Sequence, residues 1–548
     1  MKKNYFLKVL LITVIGLGTN LNAQTTWTGA TDTDWSEDSN WDTNTVPDGS
    51  GADVIIPNVT NQPIINGLDI IIYGSLTVNT SATLTITGTG SLKQPTPPVG
   101  SINASITNNG SIIINSGSQF KTDYSVSGSG SFTYNRNLPN NDWYLISSPF
   151  EGQSIDAFIT AENPPSLNGD VALAPYNTSD NTWTYIQTGA SGSGNFITGK
   201  GYSVKLQSSG DISFTGSLLT SNKSVALESS GQGYNLIGNP YPIHIKSTSI
   251  LTRNSASLDS ETIWVWNDDV DAYQAKTSGT GGWNVAPAQA FFVKSDGASG
   301  TVEIHETDQI SAADTFLRTD PLTEISLTLS NESASRQATI YYIDDTTTGF
   351  DNGYDGPRFM AGDNSFAFYT HLVSDGEGVD YDIQSLPTDN YENMVIPLGI
   401  NAVSGTDITL NISTINFPEG INTYLEDKVN NSFTLLDANS NFMTTLDSDL
   451  NGIGRFYLHT TSEVLSSDDF LNNNISIYIS SKDNLRIVGI HNGTAEVQLY
   501  NILGKEVFSA AFEGTGMNDI QLPNIKEGIY IINLTTDKGT INKKVIIH

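Results

Sequence analysis

Short runs that alternate apolar and polar residues, separated by turns rich in Gly, Asn and Asp, recur along nearly all of this chain. Examples are EISLTLS, ATIYYID, DITLNIS and AEVQLY. Because successive side chains of a strand point to opposite faces, such alternation is typical of strands with one buried face. Beyond the N-terminal segment, no run reaches the roughly 18 apolar residues of a membrane-spanning helix. The pattern predicts an all-β, multidomain protein with no transmembrane segment.

Composition argues against several classes of function. The 548 residues include 58 acidic and 25 basic side chains, a formal net charge of −33. Such a chain has no basic surface with which to hold a nucleic-acid backbone. It has no cysteine, which excludes disulfides, thiolate metal sites and a cysteine nucleophile. At about 150 residues per domain, the length predicts three or four domains.

The N-terminus has the three parts of a secretory signal. Lys2, Lys3 and Lys8 precede or begin an apolar stretch, and small and polar residues follow up to Ala23. We predict a signal peptide over residues 1–23, cleaved after Ala23; a buried first helix is the alternative. Removing its three lysines leaves 22 basic and 58 acidic residues, so the net charge becomes 22 − 58 = −36.

A Gly-Ser pair followed by an apolar run recurs between residues 24 and 140. Repeats this short cannot bury a core alone and must stack on their neighbours. We therefore predict a β-solenoid-like region over residues 24–140, with a meandering β-sandwich as the alternative. The pairs begin at positions 74, 90, 110 and 130, with spacings of 16, 20 and 20.

Residues 141–318 contain an internal duplication. WYLISSPF at 143–150 matches YNLIGNPY at 234–241 with an offset of 91, and aromatic residues further on match at offsets of 90 and 89. We predict a duplicated β domain of two units of about 90 residues. Seven alternating runs in residues 319–465 then predict a two-sheet β-sandwich.

The last 75 residues alternate in period two between turn residues, as a small antiparallel sandwich would. LYNILGKEV, GIYIINL and KKVIIH, in this order at the C-terminus, resemble the type A C-terminal sorting domain of cargo of the type IX (Por) secretion system of Bacteroidetes. The resemblance implies an immunoglobulin-like sorting domain over residues 474–548. It also implies that the sorting signal includes Gly504, Gly528, Tyr530, Lys543 and Lys544.

This resemblance implies a location and partners. The protein would be exported through the outer membrane to the cell surface or the extracellular space. Its partners would be the type IX translocon and its sorting and attachment machinery, with surface lipopolysaccharide and glycans as further candidates. The alternative is an ordinary immunoglobulin-like domain of a periplasmic protein.

The search for catalytic residues returns none. The six histidines are dispersed, and the chain holds no zinc-protease, nucleophile-elbow or phosphate-loop motif. We therefore predict a protein without catalysis and without a cofactor, except for calcium as a candidate. A pair of carboxylates for glycoside hydrolysis stays open, because such a pair meets only in the fold.

Calcium has two candidate loops. Asp447, Asp449 and Asn451 followed by Gly452 match the first half of a calcium loop, but Leu458 stands where an EF-hand needs glutamate; a polar turn is the alternative. A second acidic loop has the same two interpretations. It contains Asp344, Asp345, Asp351, Asp355 and Asp363.

Tryptophan rings suggest glycan contacts. Trp264 and Trp266 would point to one face of a strand and could stack on sugars, as could Trp27, Trp35 and Trp41; core packing is the alternative. Two functional hypotheses follow. The first is an adhesin-like, structural or glycan-binding surface protein without catalysis. The second is a secreted polysaccharide-active hydrolase with an unrecognised carboxylate pair.

Overall fold

The structure is a computed structural model with two compact units. Unit 1 contains residues up to Asp259 and Gly282–Leu317, and unit 2 contains Ser260–Gly281 and residues from Arg318 onward. The predicted signal peptide, except Ala23, lies outside the described residues. These are 23–97, 104–189, 191–267, 270–298, 300–312, 322–374, 378–389, 391–462, 476–481, 484–488, 490, 493–514, 517–523, 525–526, 528–536 and 539–547.

Unit 1 begins with twelve short strands. They lie in three sheets, in the orders β1-β2-β5-β8-β11, β4-β7-β10 and β3-β6-β9-β12-β19. The twelve strands pair with one another in parallel, so the chain winds through the three sheets in successive coils, as a β-solenoid does. The later strand β19 (Gly210–Gly216) pairs antiparallel with β12. The strands are β1 Gln24–Thr26, β2 Asp53–Ile56, β3 Ile64–Asn66, β4 Asp69–Ile71, β5 Leu76–Val78, β6 Thr83–Thr87, β7 Ser91–Gln94, β8 Ile106–Asn108, β9 Ser111–Ile114, β10 Gln119–Thr122, β11 Val126–Ser127 and β12 Ser131–Leu138.

Successive Gly-Ser pairs do not mark successive coils of the solenoid. Ser111 and Ser131 occupy equivalent positions on adjacent strands, whereas Ser91 lies on a different sheet and Ser75 precedes β5. One coil is three strands long, so the pairs at 74 and 90 belong to the same coil. Glycine recurs at these turns because neighbouring coils approach closely: a Cβ on Gly74 would lie 2.0 Å from the Ala52 carbonyl oxygen.

Three buried tryptophans close the first coil of the solenoid. The rings of Trp35 and Trp41 meet edge to face with centroids 4.7 Å apart, and Trp27 lies 5.1 Å from Trp41. The Trp27 indole donates to the Asn61 carbonyl oxygen at 2.7 Å, and the Trp41 indole donates to the Trp35 carbonyl oxygen at 3.0 Å. Such a cap covers apolar surface that a further coil would otherwise bury.

The predicted duplication is visible in matched strand pairs. Trp143 pairs with Lys205, and the equivalent Tyr234 pairs with Lys294. Each repeat contains one α-helix after its first strand: α1 (Ile155–Glu162) in the first, and α2 (Ser247–Asn254), which follows the short strand β22, in the second. The strands are β13 Trp143–Ile146, β14 Ser166–Leu167, β15 Asp170–Val171, β16 Leu173–Asn177, β17 Thr182–Trp183, β18 Tyr202–Lys205, β19 Gly210–Gly216, β20 Lys223–Leu227, β21 Tyr234–Gly238, β22 His244–Lys246, β23 Thr262–Asn267, β24 Ala272–Thr277, β25 Asn284–Val285, β26 Ala290–Lys294, β27 Gly300–Ile304 and β28 Gln309–Ile310.

The two repeats exchange backbone hydrogen bonds within unit 1. The Ser147 amide donates to the Ala288 carbonyl oxygen at 3.2 Å, and the equivalent Gly238 amide donates to the Gly199 carbonyl oxygen at 3.0 Å. A Cβ on Gly238 would lie 2.2 Å from the Ser147 Cβ, so glycine is needed where the repeats meet. The hairpin of β23 and β24 belongs to unit 2.

Unit 2 contains one long series of strands, in the order β37-β36-β39-β34-β32-β33-β30-β29-β35-β38, with β31 paired to β33. Strands far apart in this series, such as β29 and β34, contribute to one buried cluster, so the sheet folds over itself as a sandwich. The strands are β29 Thr323–Ser330, β30 Ser335–Tyr342, β31 Gly356–Pro357, β32 Ala367–Thr370, β33 Tyr381–Leu386, β34 Met394–Ala402, β35 Asp407–Ile415, β36 Asn422–Asp427, β37 Ser432–Leu436, β38 Phe442–Thr445 and β39 Leu450–Thr461.

The last seven strands form two small antiparallel sheets, β40-β41-β44 and β43-β42-β45-β46, around a core of their own. The predicted all-β fold is therefore confirmed, with helices limited to short segments. The strands are β40 Ser476–Ser481, β41 Asn484–Val488, β42 Thr494–Asn501, β43 Glu506–Glu513, β44 Met517–Gln521, β45 Gly528–Thr536 and β46 Gly539–Ile547.

Candidate functional site

Six polar side chains of unit 2 form what we call the polar cluster. Strand β30 pairs with β33 in parallel, and β32 pairs with both β33 and β34, so residues at the ends of these strands come together. The amide of Arg358 also donates to the Asp380 carbonyl oxygen at 2.8 Å, which holds the β31 loop against β33. The cluster consists of Arg336, Arg358, Tyr369, His371, Asp380 and Asp382.

Asp380 is the centre of the cluster. One carboxylate oxygen lies 2.9 Å from His371 Nε2, and the other lies 3.7 Å from Arg358 Nη1. Arg358 is buried, and its second terminal nitrogen donates to Asn364 Oδ1 at 2.5 Å. Removing a single partner from a buried set of charges leaves another charge uncompensated, so these three side chains act as a unit.

The Tyr369 ring contacts both Arg358 and His371. The Arg358 guanidinium lies 5.5 Å from the ring centroid, and the His371 ring is stacked at 5.7 Å. The Tyr369 hydroxyl donates to Asn401 Oδ1 at 3.2 Å, and burial raises its pKa. Opposite Tyr369 on β34 stands Gly399, where a Cβ would lie 2.0 Å from the ring.

Asp382 lies on the same face of β33 as the core residue Leu386, four positions further on. Burial raises the pKa of the Asp382 carboxyl to about 8, although Arg358 and Arg336 favour its charged form. Asp380 opposes ionisation of Asp382 by like charge. Burial therefore favours the protonated form of Asp382 at neutral pH.

The pH dependence of stability tests this assignment. Because the pKa of Asp382 is about 8 in the folded protein and about 3.9 in unfolded chains, the folded state binds more protons between these values. The contribution of Asp382 to the free energy of unfolding is therefore lost as pH rises through this window, by up to about 1.4 kcal/mol per pH unit. We expect Asp382→Asn to flatten the fall of the melting temperature between about pH 5 and pH 8.

Asp363→Asn is the matched control. Hydrogen bonds from the Ser365 amide and hydroxyl lower the pKa of Asp363, so its contribution to stability is lost as pH falls instead. The Asp363→Asn variant is expected to show the same fall of melting temperature between about pH 5 and pH 8 as wild type. If the melting temperature of the Asp382→Asn variant fell with rising pH as steeply as that of wild type, the raised pKa of Asp382 would be wrong.

The predicted calcium residues lie along a turn and a strand. Asp449 accepts from the Ser404 amide at 2.8 Å, and Asp447 Oδ1 lies 3.9 Å from Arg455 Nη1. Asn451 lies in β39 opposite Asn401. Among the described residues, no three His, Cys, Asp or Glu side chains come together as a metal would require. Calcium binding at this turn stays a prediction.

In the second acidic loop, the carboxyl groups mostly hold the backbone. Asp355 is fully buried, accepts from the Asp351 and Ser385 amides at 2.7 and 2.6 Å, and has its pKa raised to about 7 by burial. Asp351 accepts from the Thr347 amide at 2.6 Å, and Asp344 accepts from the Thr388 hydroxyl. Asp345 adopts a left-handed backbone conformation with φ 64°. In these contacts the carboxylates accept from the protein's own amide and hydroxyl groups.

The tryptophans suggested as glycan contacts are largely internal. Trp27, Trp35, Trp41 and Trp264 are buried, so in this structure their rings have no free face for a sugar. The Trp264 indole donates to the Pro357 carbonyl oxygen at 2.8 Å. Trp266 is half-buried, and its ring lies 4.9 Å from that of Tyr273. The four buried tryptophans pack in the core, and glycan contact by Trp266 stays a prediction.

The five sorting residues lie in the C-terminal sandwich. Gly504 has φ 75° in the turn between β42 and β43, where its amide donates to the Asn501 carbonyl oxygen at 2.9 Å. Gly528 begins β45, and the buried Tyr530 donates its hydroxyl to the Lys526 carbonyl oxygen at 2.7 Å. Lys543 and Lys544 are exposed on β46, which lies at the edge of its sheet. Lysines on an edge strand discourage pairing with another chain.

Comparison with known families assigns most of the chain. A family model described as a domain of unknown function, DUF8693, matches residues 26–279 and 272–459, so that it spans 434 of the 548 residues, from 26 to 459. The chain belongs to the DUF8693 family. A second model, the secretion system C-terminal sorting domain, matches residues 472–548.

The second match confirms the resemblance read from the C-terminal motifs. This member of the DUF8693 family is cargo of the type IX secretion system, exported across the outer membrane to the cell surface or the extracellular space. Its sorting domain interacts with the type IX machinery. Among the described residues, no helix is long and apolar enough to cross a membrane.

Similarity to individual proteins adds little. None of the curated proteins matches this chain. Among solved structures, the polysaccharide lyase BACCELL_00875 is 6% identical with a TM-score of 0.14, and the match covers 42% of this chain and 40% of the lyase. Dimeric latent PorU from Porphyromonas gingivalis is 10% identical with a TM-score of 0.13, covering 41% of this chain and 30% of PorU. Neither likeness bears on the function of the DUF8693 protein.

Sequence reasoning missed the polar cluster. Its members are dispersed between positions 336 and 382 and match no local motif. One signal was present in the sequence. Asp382 and Gln384 lie on the same face of β33 as the core residue Leu386. Polar residues in an inward-facing series depart from the strand pattern and therefore mark a candidate site.

Proposed function

We propose that the exported DUF8693 protein is an adhesin-like surface protein that binds glycan polymers without cleaving them. The observation that carries the proposal is a pair of in-register rows on the outward faces of the solenoid, one in which threonine alternates with isoleucine and one of hydroxyl side chains. Parallel, in-register stacking repeats equivalent side chains at the strand spacing of about 4.8 Å. A repeating polymer is a fitting ligand for a repeating surface.

The first row runs across the sheet of β3, β6, β9 and β12. Ile64, Thr85, Ile113 and Thr133 are in register on its outward face, so threonine alternates with isoleucine. Thr215 of β19 extends the row, with its hydroxyl 2.9 Å from that of Thr133. Beside it, the Asn135 amide group donates to Asn115 Oδ1 at 2.8 Å. Hydroxyl and amide groups both donate and accept, which suits the hydroxyl groups of sugars.

The second row lies on the sheet of β1, β2, β5, β8 and β11. Thr77, Thr107 and Ser127 are in register, with the hydroxyl oxygens of Thr107 and Ser127 3.4 Å apart. The opposite face of the same strands holds the buried apolar residues of the core. The outward face therefore consists mostly of uncharged polar side chains on a regular backbone.

Two bidentate ion pairs elsewhere support a scaffold role. Arg455 makes two bonds to Asp427 at 3.0 and 2.9 Å across β36 and β39. In unit 1, Arg253 makes two bonds to Asp308 at 2.7 and 2.6 Å. Paired, fully hydrogen-bonded charges of this kind fix the arrangement of the strands that carry them.

A polysaccharide panel tests the proposal. The mature chain, from Gln24 onward, is expected to be retained on at least one insoluble polysaccharide without releasing reducing ends. Thr85→Arg with Thr133→Arg should reduce retention by about tenfold, because two long cations interrupt the row. Thr444→Arg, on β38 of unit 2, is the matched control and should bind as wild type. Equal retention of wild type and the Thr85/Thr133 variant would contradict the proposal.

A second candidate is a polysaccharide-active hydrolase, favoured by the polar cluster. Asp380 and Asp382 lie two positions apart in an extended segment. Burial raises the pKa of Asp382 to about 8, as expected of a general acid with a carboxylate beside it. In the same panel, reducing-end release that Asp382→Asn abolishes would support this candidate against the first.

A further inference from the structure

We propose that an exposed apolar patch on the sorting domain is the surface by which this chain docks on the type IX export machinery. Four large apolar side chains form what we call the tip patch. Ile502 and Leu503, in the turn between β42 and β43, are 74% and 87% exposed, and Ile529 and Ile531 on β45 are 43% and 45% exposed.

Strand register places Ile529 and Ile531 beside the turn. Tyr500 pairs with Ile531, and Asn501, the last residue of β42, pairs with Tyr530, so the turn that holds Ile502 and Leu503 begins beside Ile529. Tyr530 points the other way, into the buried core. Ile529 and Ile531 therefore lie on the outer face of the four-stranded sheet with Tyr500, and the two exposed turn residues lie at the end of that face.

The turn holds the patch in a fixed shape. Asn501 Oδ1 accepts from the amides of Leu503 and Lys505, each at 3.0 Å, and the Asn501 amide donates to the Lys505 carbonyl oxygen at 3.0 Å. Because the backbone is held by these bonds, Ile502 and Leu503 stay exposed instead of folding back onto the sheet. A rigid apolar projection loses little conformational freedom on binding.

Charge distinguishes the sorting domain from the rest of the chain. Residues 472–548 contain 7 basic and 7 acidic side chains, so their net charge is zero. Residues 24–471 contain 15 basic and 51 acidic side chains, so they carry the entire net charge of −36. The border of the tip patch is mixed in sign, with Lys505 and Glu506 at the turn and Lys544 opposite Ile531. A neutral domain with an apolar projection can approach a partner that the acidic passenger would repel.

The occupant is therefore a protein of the export machinery that offers an apolar hollow with a polar border of both signs. This domain, and not the passenger, is the part of the chain that matches the sorting family. Contiguous exposed apolar residues mark interaction sites, whereas single ones are ordinary. A second copy of this chain is the competing occupant, and the experiment separates the two.

The test measures export of the full chain in a bacterium with a type IX system. Ile502→Ser with Leu503→Ser, and separately Ile529→Ser with Ile531→Ser, should each lower the protease-accessible surface fraction by about tenfold and strand the chain in the periplasm. Met443→Ser and Val403→Ser are matched controls, since these passenger side chains are 69% and 64% exposed. Both controls should reach the surface as wild type does.

Two further measurements separate loss of docking from misfolding and from self-association. The melting temperature of each purified variant should equal that of wild type, because exposed side chains contribute little to folding. A photo-crosslinking residue at position 503 should capture an export-machinery protein; capture of a second copy of this chain would overturn the proposal. Normal surface display of both double variants would overturn it as well. Deletion of residues 528–548 should abolish display, and if it did not, the dependence of export on the sorting domain would itself be wrong.

Discussion

Replacing Trp35 with alanine is expected to lower the free energy of unfolding of the solenoid by about 3–5 kcal/mol. The Trp35 ring is fully buried and touches both other rings of the cap, at centroid distances of 6.4 Å to Trp27 and 4.7 Å to Trp41. Among the residues that the structure describes, no further coil covers the cap, so relaxation over the cavity is limited. Calorimetric unfolding of the mature chain measures the loss.

Trp35→Phe is the control that separates ring packing from the indole group. The Trp35 indole nitrogen is buried without a hydrogen-bond partner, so phenylalanine removes an unsatisfied donor while keeping an aromatic ring. We expect Trp35→Phe to cost less than half of what Trp35→Ala costs. Equal losses for both variants would mean that the cap depends on the indole and not on ring packing.

Gly399→Ala is expected to destabilise the sandwich of unit 2 by about 3 kcal/mol, the upper end for an overpacked core position. The new Cβ would lie 2.0 Å from one Tyr369 ring atom and 2.5 Å from two others. The ring cannot move freely, because Arg358 and His371 lie on it and its hydroxyl binds Asn401. The melting temperature of the sandwich measures the effect.

A double-mutant cycle with Tyr369→Ala checks that the steric overlap is the cause. In the Tyr369→Ala background the clash is absent, so adding Gly399→Ala should cost less than about 1 kcal/mol, and the two losses should be far from additive. Additive losses would show that Gly399 is needed for its backbone and not for the space it leaves to Tyr369.

Local pattern accounts for the parts of the fold that were predicted. Alternation in period two gives the all-β class because it reports which strand face is buried. The duplication was visible in matched aromatic and apolar residues, and the structure pairs Trp143 with Lys205 and Tyr234 with Lys294 in the same way. The sorting motifs were recognisable because they are contiguous and lie at the chain end.

Other features depended on residues far apart in the chain. The spacing of the Gly-Ser pairs did not give the length of a coil. A glycine can be required at a turn before a strand of any of the three sheets, and not once per coil. The tryptophan rings near the N-terminus could not be assigned to core or surface, because burial depends on which strands stack beneath them. The calcium loop at Asp447 has the right residue types, but Asn451 is held in the ladder of β39.

The sequence by itself determined the β class, the internal duplication and the route of export, because each is encoded in neighbouring residues or in direct repeats of them. Only the tertiary structure decided where the polar groups meet. Asp380 and His371 are nine positions apart and face each other at 2.9 Å, while Gly399 and Tyr369 meet through the pairing of β32 with β34. Strand pairing joins positions without regard to their separation in the chain, so the polar cluster, the outward rows and the tip patch exist only once the sheets have formed.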